Sequence, residues 1–450
     1  MEVVINNRKS ILFLWLLLLA SLAVFVWLNF PSPLKIQGDG VFYYAWLHSV
    51  FWDHDLDFSN QLAHFADDDY FSRKFTSENI RTGTGLTPNA YPFGLALMWL
   101  PFIFLAHILT NIFYFIRHNF FITDGYSYFY VLAVSFAGWF YGAAGLIVVW
   151  RILKKFFSER AALLSVLALW LATPWLYYQL FEPTMSHMAS LFLASFWLYL
   201  LVQIWQGRRV NKLVFMAVIF LLIAVRWQNS LFVILFLPLI GRLSAPQVPV
   251  SFQDFVWPSL NSGRWKAAVK DLMILALPLG AIAWLQMSAW KIIYGQYLLV
   301  PQGYTFVRPE FHGLYTLFSS DRGLLLWSPV IVLTMVGFVW LWRKSKFWTA
   351  VVLVAFIFQW VINSSLNDLG GGDAFGGRRF IETLPFLALP LAALLDWLKK
   401  YFWLLAAVII ILIFWNLLLI QNYRWGNIPR AGEFGLIEVI GAIDYRVRDN

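Results

Sequence analysis

Long apolar runs dominate this sequence and limit what it can fold into. A helix needs roughly 20 residues to cross a hydrocarbon core. Runs of about that length or longer occupy 11–30, 91–116, 127–150, 161–180, 185–206, 213–241, 271–293, 323–342, 347–363, 380–397 and 401–420. The 450-residue chain is 60% hydrophobic and only 13% charged, which leaves too much apolar surface for a soluble domain. The sequence therefore predicts an all-α polytopic membrane protein.

Three of these regions decide the number of spans. Run 11–30 follows two basic residues and no small-residue cleavage site comes after it, so we interpret it as an uncleaved first span. Run 213–241 carries Arg226 near its middle, and a charge at that depth is costly. We therefore expect two short helices with a turn at 226–229. We also expect an extra pass within 91–126, which gives about 11–13 transmembrane helices.

The basic residues predict the orientation. The net charge of +9 does not indicate nucleic-acid binding, because the bases lie in short loops between apolar runs, as the positive-inside rule requires. The loops expected on the cytoplasmic side are 8–9, 151–160, 208–212, 242–270, 343–346 and 399–400. Without the extra pass in 91–126, Arg151 would fall on the opposite side, against this rule. The chain has no cysteine, which excludes disulfides and thiolate chemistry.

The remaining polar segments belong to the extracytoplasmic face. Within a membrane domain at 1–420, they are an extended first loop at 31–90 and two further loops at 294–322 and 364–379. A short tail at 421–450 follows. The first loop is acidic although the whole chain is basic, with eight acids against four bases. Because polar groups gathered in a membrane protein usually line a cavity or a site, we expect the functional site on this face.

Asp39 is the leading candidate in the first loop. It lies between Gly38 and Gly40, just past the first span, and glycines allow close backbone approach. A carboxylate there can act as a general base on a hydroxyl, or hold a divalent ion. The simpler interpretation is a turn residue that caps the next helix.

A second acidic cluster is Asp53-His54-Asp55-Leu56-Asp57. Alternating carboxylates can bind a hard cation, although the spacing is not that of an EF-hand. Asp55 and Asp57 are therefore candidate supporting acids, with a solvated loop as the alternative. The triplet Asp67-Asp68-Asp69 is interpreted as solvated charge.

Cationic residues form a second group. Five glycines surround Asp373 and precede Arg378 and Arg379, at the start of a span. The backbone N–H groups of a glycine-rich loop can bind an oxyanion, and arginine binds phosphate bidentately. Arg226 and Arg322 lie in other loops of the same face. The alternatives are interfacial anchors for the Arg378-Arg379 pair and snorkelling for Arg226.

Together these segments predict a cavity with one acidic and one cationic wall. Glu182-Pro183-Thr184 with His187 is either part of that wall or only a short turn between spans. The other residues expected to line the cavity are Tyr43, Tyr44, Asn89, Tyr91 and Asp373. The arrangement suits transfer from a phosphate-linked donor, where an acid deprotonates the nucleophile and arginines stabilise the departing phosphate.

Several of these segments resemble bacterial GT-C glycosyltransferases, the polytopic relatives of protein mannosyltransferases and lipid A aminoarabinose transferases. The resemblance lies in Gly38-Asp39-Gly40-Val-Phe-Tyr43-Tyr44 and Asp55-Leu-Asp57-Phe-Ser-Asn60 after the first span. It continues in Asp321-Arg322-Gly323 to Ser328-Pro329 and in Gly371-Gly372-Asp373-Ala-Phe-Gly-Gly-Arg378-Arg379-Phe380. It implies a polyprenyl-phosphate sugar donor, Asp39 as the catalytic acid of the first loop, and, in some members, a divalent cation (Mg or Mn) there. Asn89-Ala-Tyr91-Pro92 departs from the family, which places a second carboxylate or a Lys/His-Pro pair at this point.

The sequence therefore predicts an inverting glycosyltransferase with a GT-C-like bundle in a bacterial inner membrane, acting on the extracytoplasmic face. The acceptor is a lipid, a glycan or a protein, and the metal, if present, is expected at Asp39 and Asp55. The alternative is a transporter or flippase of a lipid-linked sugar. Transporters usually show internal repeats and charges at the membrane midplane, and this sequence shows no repeat.

Overall fold

The computed structural model describes residues 2–116, 122–245, 265–301, 307 and 310–435. Within these ranges the chain is helical, with no strand beyond one isolated bridge between Val307 and Leu366. The prediction of an all-α polytopic membrane protein is confirmed. The predicted cytoplasmic loop 242–270 lies mostly outside the described residues, as does the end of the tail.

The first half of the chain holds ten helices in its described part. They are α1 (Glu2–Asn29), α2 (Asp39–His48), α3 (Ser59–Phe65), α4 (Tyr70–Ser77), α5 (Gly94–Tyr114), α6 (Tyr128–Leu153), α7 (Glu159–Leu171), α8 (Pro174–Leu180), α9 (His187–Trp205) and α10 (Lys212–Val225). Short helices thus fill much of the predicted first loop, and α2 continues into a π-helical turn at Ser49–Asp53.

The second half continues the bundle. Its helices are α11 (Ser230–Val233), α12 (Trp265–Tyr294), α13 (Gly313–Phe318), α14 (Leu324–Trp327), α15 (Val330–Lys344), α16 (Lys346–Ser364), α17 (Leu384–Trp397) and α18 (Phe402–Arg424). A 3₁₀ turn at Arg378–Thr383 leads directly into α17. The predicted tail therefore begins after Arg424 rather than at 421, because α18 extends that far.

Among the described residues, eight helices are long and apolar enough to cross a membrane, and the bent pair α7–α8 makes a ninth. This is fewer than the 11–13 predicted, because α10, the stretch at 227–239 and α15 have fewer than 18 residues. The predicted break at 226–229 is present: α10 ends at Val225 and a 3₁₀ turn follows at Trp227–Asn229.

The extra pass predicted within 91–126 is not found in the described part of that region, which holds the single helix α5. Contacts show how the chain returns instead. α6 is antiparallel to α1, since Tyr128 lies at Asn29 and Trp139 at Ser21. Arg151, at the end of α6, is therefore on the side where α1 begins, as the positive-inside rule requires. We call this the near side, and the side of Asn29 the far side.

Helix α5 is also antiparallel to α6, since Met98 contacts Tyr141 and His107 contacts Tyr130. α5 therefore runs in the same direction as α1. The chain must return into the bundle between them, within 30–93. The start of α5 is indeed packed inside the bundle, against the end of α10. A Cβ on Gly94 would lie only 2.1 Å from the backbone of Ala224. The first loop thus folds back among the helices.

The basic loops meet on the near side. Lys155 donates to Gln206, Lys344 pairs with Asp396, and the Trp205 ring stacks on Phe347. These contacts bring together the ends of four loops that were all predicted to be cytoplasmic, at 151–160, 208–212, 343–346 and 399–400. The other predicted loops converge towards the opposite end, where they form the candidate site.

Candidate functional site

The site begins at Asp39, the first residue of α2. Gly38 has a φ of +56°, and its N–H donates to Asp69 Oδ1 over 2.7 Å. Asp69 also caps α4, so it is a buried structural residue and not the solvated charge predicted. A Cβ on Gly40 would lie 2.8 Å from Thr184 Oγ1. The two glycines therefore hold Asp39 against the turn between α8 and α9.

Two groups contact the Asp39 carboxylate. Tyr91 Oη donates to Oδ1 over 2.8 Å, and Arg378 Nη1 lies 3.3 Å from Oδ2. Burial raises the pKa of Asp39, but the Arg378 guanidinium and the Tyr91 hydroxyl outweigh it and hold this pKa below its usual range. Asp39 is therefore ionised at neutral pH, and its side chain remains 24% exposed. It is not a helix cap, because no side-chain capping bond forms at the start of α2.

Arg378 reaches Asp39 from the glycine-rich loop. Gly371, Gly372 and Gly376 have positive φ angles, which allow this loop to fold back on itself. Arg378 Nη2 donates to the carbonyl of Gly371 over 2.8 Å, while Arg379 pairs with Asp368. The loop and its neighbours line an open cavity, whose lining includes both arginines.

A buried ion-pair network lies beside the cavity. Glu382, which is fully buried, accepts from Arg226 Nε at 3.1 Å and lies 3.3 Å from His187 Nδ1. Arg226 therefore points into the bundle and does not snorkel. Glu382 was not among the predicted site residues, although a carboxylate inside an apolar span is itself a signal of function. The predicted role of Arg226 as a phosphate ligand stays untested, with one of its faces occupied by Glu382.

Tyrosines connect this network to Asp39. Tyr43 Oη donates to Ser186 Oγ over 3.0 Å, and Arg226 Nη1 donates to the same oxygen over 3.4 Å. The Tyr43 ring contacts the Tyr91 ring at 5.3 Å. Burial raises the pKa of Tyr43 to about 12, so it stays a hydrogen-bond donor. Tyr43, Tyr91 and His187 are thus together near Asp39, as predicted.

Three predicted cavity residues lie elsewhere. Tyr44 is fully buried, and its hydroxyl donates to the carbonyl of Gly125. Asn89 Nδ2 donates to the carbonyl of Phe42 over 2.8 Å, so it fixes the backbone before α5. Asp373 is exposed on the glycine-rich loop. Tyr44 does not face the site as Tyr43 does, because adjacent residues on a helix such as α2 point in different directions.

Arg322 also lines the cavity, but its guanidinium is bound to neighbouring backbone. Its guanidinium donates to the carbonyls of Ala374 and Pro429 at 2.6 and 2.9 Å, and Nη1 pairs with Asp321. The side chain is 1% exposed. It holds the glycine-rich loop and the segment after α18 together. The expectation that Arg322 binds donor phosphate is therefore replaced by a structural role.

The predicted supporting acids Asp55 and Asp57 stabilise their own loop. Asp55 is exposed and accepts from Ser49 Oγ at 2.7 Å. Asp57 pairs with Arg81 and accepts from the Thr87 N–H at 2.9 Å. Among the described residues no three His, Asp or Glu side chains converge as metal ligands would. Asp39 and Asp55 have separate partners and do not form a shared donor set for a divalent cation.

Glu182 is the remaining acid near the site. It lies in the turn that packs on Gly40, and Tyr177 Oη donates to its Oε1 over 2.8 Å. Its Oε2 is buried without a hydrogen-bond partner. Burial raises the pKa of Glu182 above its usual range, an effect only partly offset by Tyr177 and by the charges of Arg378 and Arg430. The surroundings of Asp39 and Glu182 therefore move the pKa values of the two carboxyl groups in opposite directions.

The site is recessed within the bundle and not on its surface. Gly138 of α6 touches the backbone of Pro183, while the next residue, Trp139, donates to Ser21 of α1. Ser21 precedes Asn29 by eight residues, about 12 Å of helix. The turn at Glu182 and Pro183, which was predicted for a membrane face, therefore lies roughly that far inside the far end of α1.

No model of a known protein family matches this chain, and neither a curated protein nor a solved structure shows significant similarity to it. The chemistry of the site therefore rests on its own geometry. Arg378, which lines the glycine-rich cavity, lies 3.3 Å from the ionised carboxylate of Asp39. This combination can accept a proton from a hydroxyl and stabilise negative charge on an oxyanion.

Proposed function

We propose that this chain is an integral-membrane glycosyltransferase of the GT-C type. It would move a sugar from a polyprenyl-phosphate donor to a hydroxyl of an acceptor. The observation that carries the proposal is the contact between Asp39 and Arg378, an arginine that lines the glycine-rich cavity. One residue supplies a base, and the other supplies a phosphate ligand at hydrogen-bonding distance from it.

Asp39 would act as the general base. Its lowered pKa keeps it ionised at neutral pH, and Tyr91 fixes the orientation of one oxygen. The acceptor O–H proton passes to Asp39 while the acceptor oxygen forms a bond to the anomeric carbon. The bond from that carbon to the phosphate oxygen breaks on the opposite face. A single displacement of this kind inverts the configuration.

Arg378 and Arg379 would bind the donor phosphate. The departing oxygen takes the electron pair of the broken bond, and a guanidinium nearby stabilises this charge. Arg378 is already held by Gly371, so a phosphate can share it with Asp39. Arg379 Nη2 pairs with Asp368, whose side chain is 48% exposed, so a phosphate can compete with this carboxylate for the arginine.

The surroundings suit a lipid donor. The polyprenyl chain of the donor would occupy apolar surface between helices, and the whole donor would come from the bilayer. We place the reaction on the extracytoplasmic face of a bacterial inner membrane, because the basic loops on the near side should be cytoplasmic. The acceptor would be another lipid, a glycan or a protein. A divalent cation stays an untested expectation, and no step here uses one.

A transporter or flippase of a lipid-linked sugar is the second candidate. The observation that favours it is the buried network of Glu382, Arg226 and His187 among the helices. Buried ionisable groups at membrane depth frequently mark transport pathways. This candidate predicts movement of the donor between leaflets without a change in the sugar linkage.

The test is sugar transfer by purified protein, with a panel of radiolabelled polyprenyl-phosphate sugars as donors and membrane extract as the acceptor source. We expect wild type to transfer at least one sugar and Asp39→Asn to bind the donor without transfer. Donor movement across proteoliposomes with no transfer would replace the enzyme with the transporter. Absence of both donor binding and transfer would reject both candidates.

A further inference from the structure

The turn between α8 and α9 places a second acid at the site. Thr184 and Met185 of this turn face Gly40 and Gly38, the residues that flank Asp39. Glu182 begins the same turn, and Pro183 after it is fixed against Gly138 of α6. Its position relative to Asp39 is therefore set by backbone packing on both sides.

Glu182 has one satisfied and one free oxygen. Oε1 accepts from Tyr177, whereas Oε2 is buried with no hydrogen-bond partner. A buried ionised carboxylate with an empty oxygen would be costly, whereas a protonated carboxyl group carries no charge and needs fewer partners. The ionisable groups that act on it are Tyr177, Tyr178, Tyr423, Arg378, Arg430 and Asp39.

We infer that Glu182 donates the proton that the departing phosphate takes up, an inference that rests on the proposed function. Asp39 and Glu182 would then be the base and the acid of one reaction. The two carboxyl groups have environments that move their pKa values in opposite directions, and such pairs divide acid and base roles.

In this reaction one proton leaves the acceptor and another reaches the departing phosphate. The acceptor O–H gives its proton to Asp39, and the acceptor oxygen bonds to the anomeric carbon. The bond to the bridging phosphate oxygen breaks, and that oxygen takes the electron pair and the proton of Glu182. Arg378 stabilises the remaining phosphate charge. The cycle closes when Asp39 loses its proton to water and Glu182 regains one.

Glu182→Gln separates this role from a structural one, because glutamine keeps the shape and the acceptor for Tyr177 but cannot donate a proton to the leaving oxygen. We expect its kcat to fall about 10²- to 10⁴-fold with the natural donor. A donor in which sulfur replaces the bridging oxygen needs no protonation to leave, so the variant should approach the wild-type rate with it.

The pH profile is a second readout. Wild-type activity should fall at high pH as Glu182 ionises, and Glu182→Gln should lose this basic limb. Tyr177→Phe removes a hydrogen bond that lowers the pKa of Glu182, so its basic limb should move to higher pH. This variant keeps the acid, so it tests the role even where Glu182→Gln fails to fold.

The outcomes distinguish the inference from the proposed function. Equal slowing with the oxygen and sulfur donors, or a basic limb unchanged in Tyr177→Phe, would show that Glu182 is structural while the transferase stands. Sulfur rescue together with a shifted limb would establish the acid. Wild type that transfers no sugar would overturn both.

Discussion

The segment between α1 and α5 contains two acidic regions that look alike in sequence and differ in the structure. Asp39 and Asp53 are each 24% exposed, so exposure does not separate them. Asp39 faces Arg378 from the other end of the chain, whereas Asp53 contacts His48, Asn60 and Gln61 of its own segment. The more acidic region stabilises local structure, and the isolated acid reaches the candidate site.

The difference follows from what surrounds each carboxylate. Around Asp53, the neighbouring amides and His48 satisfy the acid without a distant partner. Around Asp39, two glycines press the backbone against the turn after α8, and the nearest cation belongs to the glycine-rich loop. Acid density therefore indicates a stabilised loop here, whereas a single acid in tightly packed backbone indicates a site.

The largest expected effect comes from Asp39→Asn. Asparagine keeps an acceptor for Tyr91 and similar shape, but it cannot take a proton. We expect kcat for sugar transfer to fall about 10²- to 10⁴-fold. Asp53→Asn is the matched control, since that side chain is equally exposed and should leave transfer within about twofold, because its contacts are all local. Similar losses in both variants would remove the distinction between the two regions.

Arg378→Gln should have the second largest effect. We expect kcat to fall about 10²-fold, because one charged ligand of the phosphate is removed. It also has a specific pH signature. The Arg378 guanidinium lowers the pKa of Asp39, whereas burial raises it. Removing the guanidinium should therefore raise this pKa. Activity requires ionised Asp39, so the acid limb of the pH–rate profile should move to higher pH.

Arg322→Gln provides the contrast among arginines. Its guanidinium is held by the carbonyls of Ala374 and Pro429, so we expect a lower melting temperature and no shift of the acid limb. An acid limb that moves with Arg322 as it does with Arg378 would show that the two arginines act on Asp39 alike.

The sequence was sufficient for the positions of the helices and for parts of the site. Each apolar run contains a helix in the structure, and the charge of Arg226 correctly predicted a break. It predicted that Asp39 and Arg378 lie in the same site, and the structure brings their side chains to 3.3 Å. These successes rest on local signals such as apolar length, a costly buried charge and glycines beside a polar residue.

Other features required the tertiary structure. Glu382 follows Arg378 by four residues, yet only packing shows that its partners are Arg226 and His187. One of the carbonyls that bind the Arg322 guanidinium belongs to the segment after α18, more than 100 residues away. The direction of α5 depends on which residues of α6 it contacts. Local propensity carries no information on such distant pairs.

Gly40→Ala should have an intermediate effect. A methyl group there would lie 2.8 Å from Thr184 Oγ1, so the turn or α2 must move. Overpacking of this kind costs about 1–3 kcal/mol. We expect a lower melting temperature and reduced transfer, because Asp39 is the preceding residue. Gly83→Ala is the control in the same segment, since nothing lies within 4 Å of its added Cβ. Equal melting temperatures for the two variants would show that close packing at Gly40 is unimportant.

The smallest effect is expected from Asp57→Ala. This acid accepts from the N–H groups of Thr87 and Ser59 and pairs with Arg81, which is 37% exposed. Losing the backbone acceptor should lower stability by about 1 kcal/mol, while a partly exposed ion pair adds little.

Burial raises the pKa of Asp57, but the Thr87, Ser59 and Arg81 contacts outweigh it and lower this pKa below its usual value. The stability that Asp57 contributes is therefore complete above its unfolded pKa and is lost as pH falls through the folded value. Thermal unfolding of wild type and Asp57→Ala at a series of pH values should show curves that converge in acid. A transfer rate reduced as severely as in Asp39→Asn would instead place the second acidic region in the catalytic machinery.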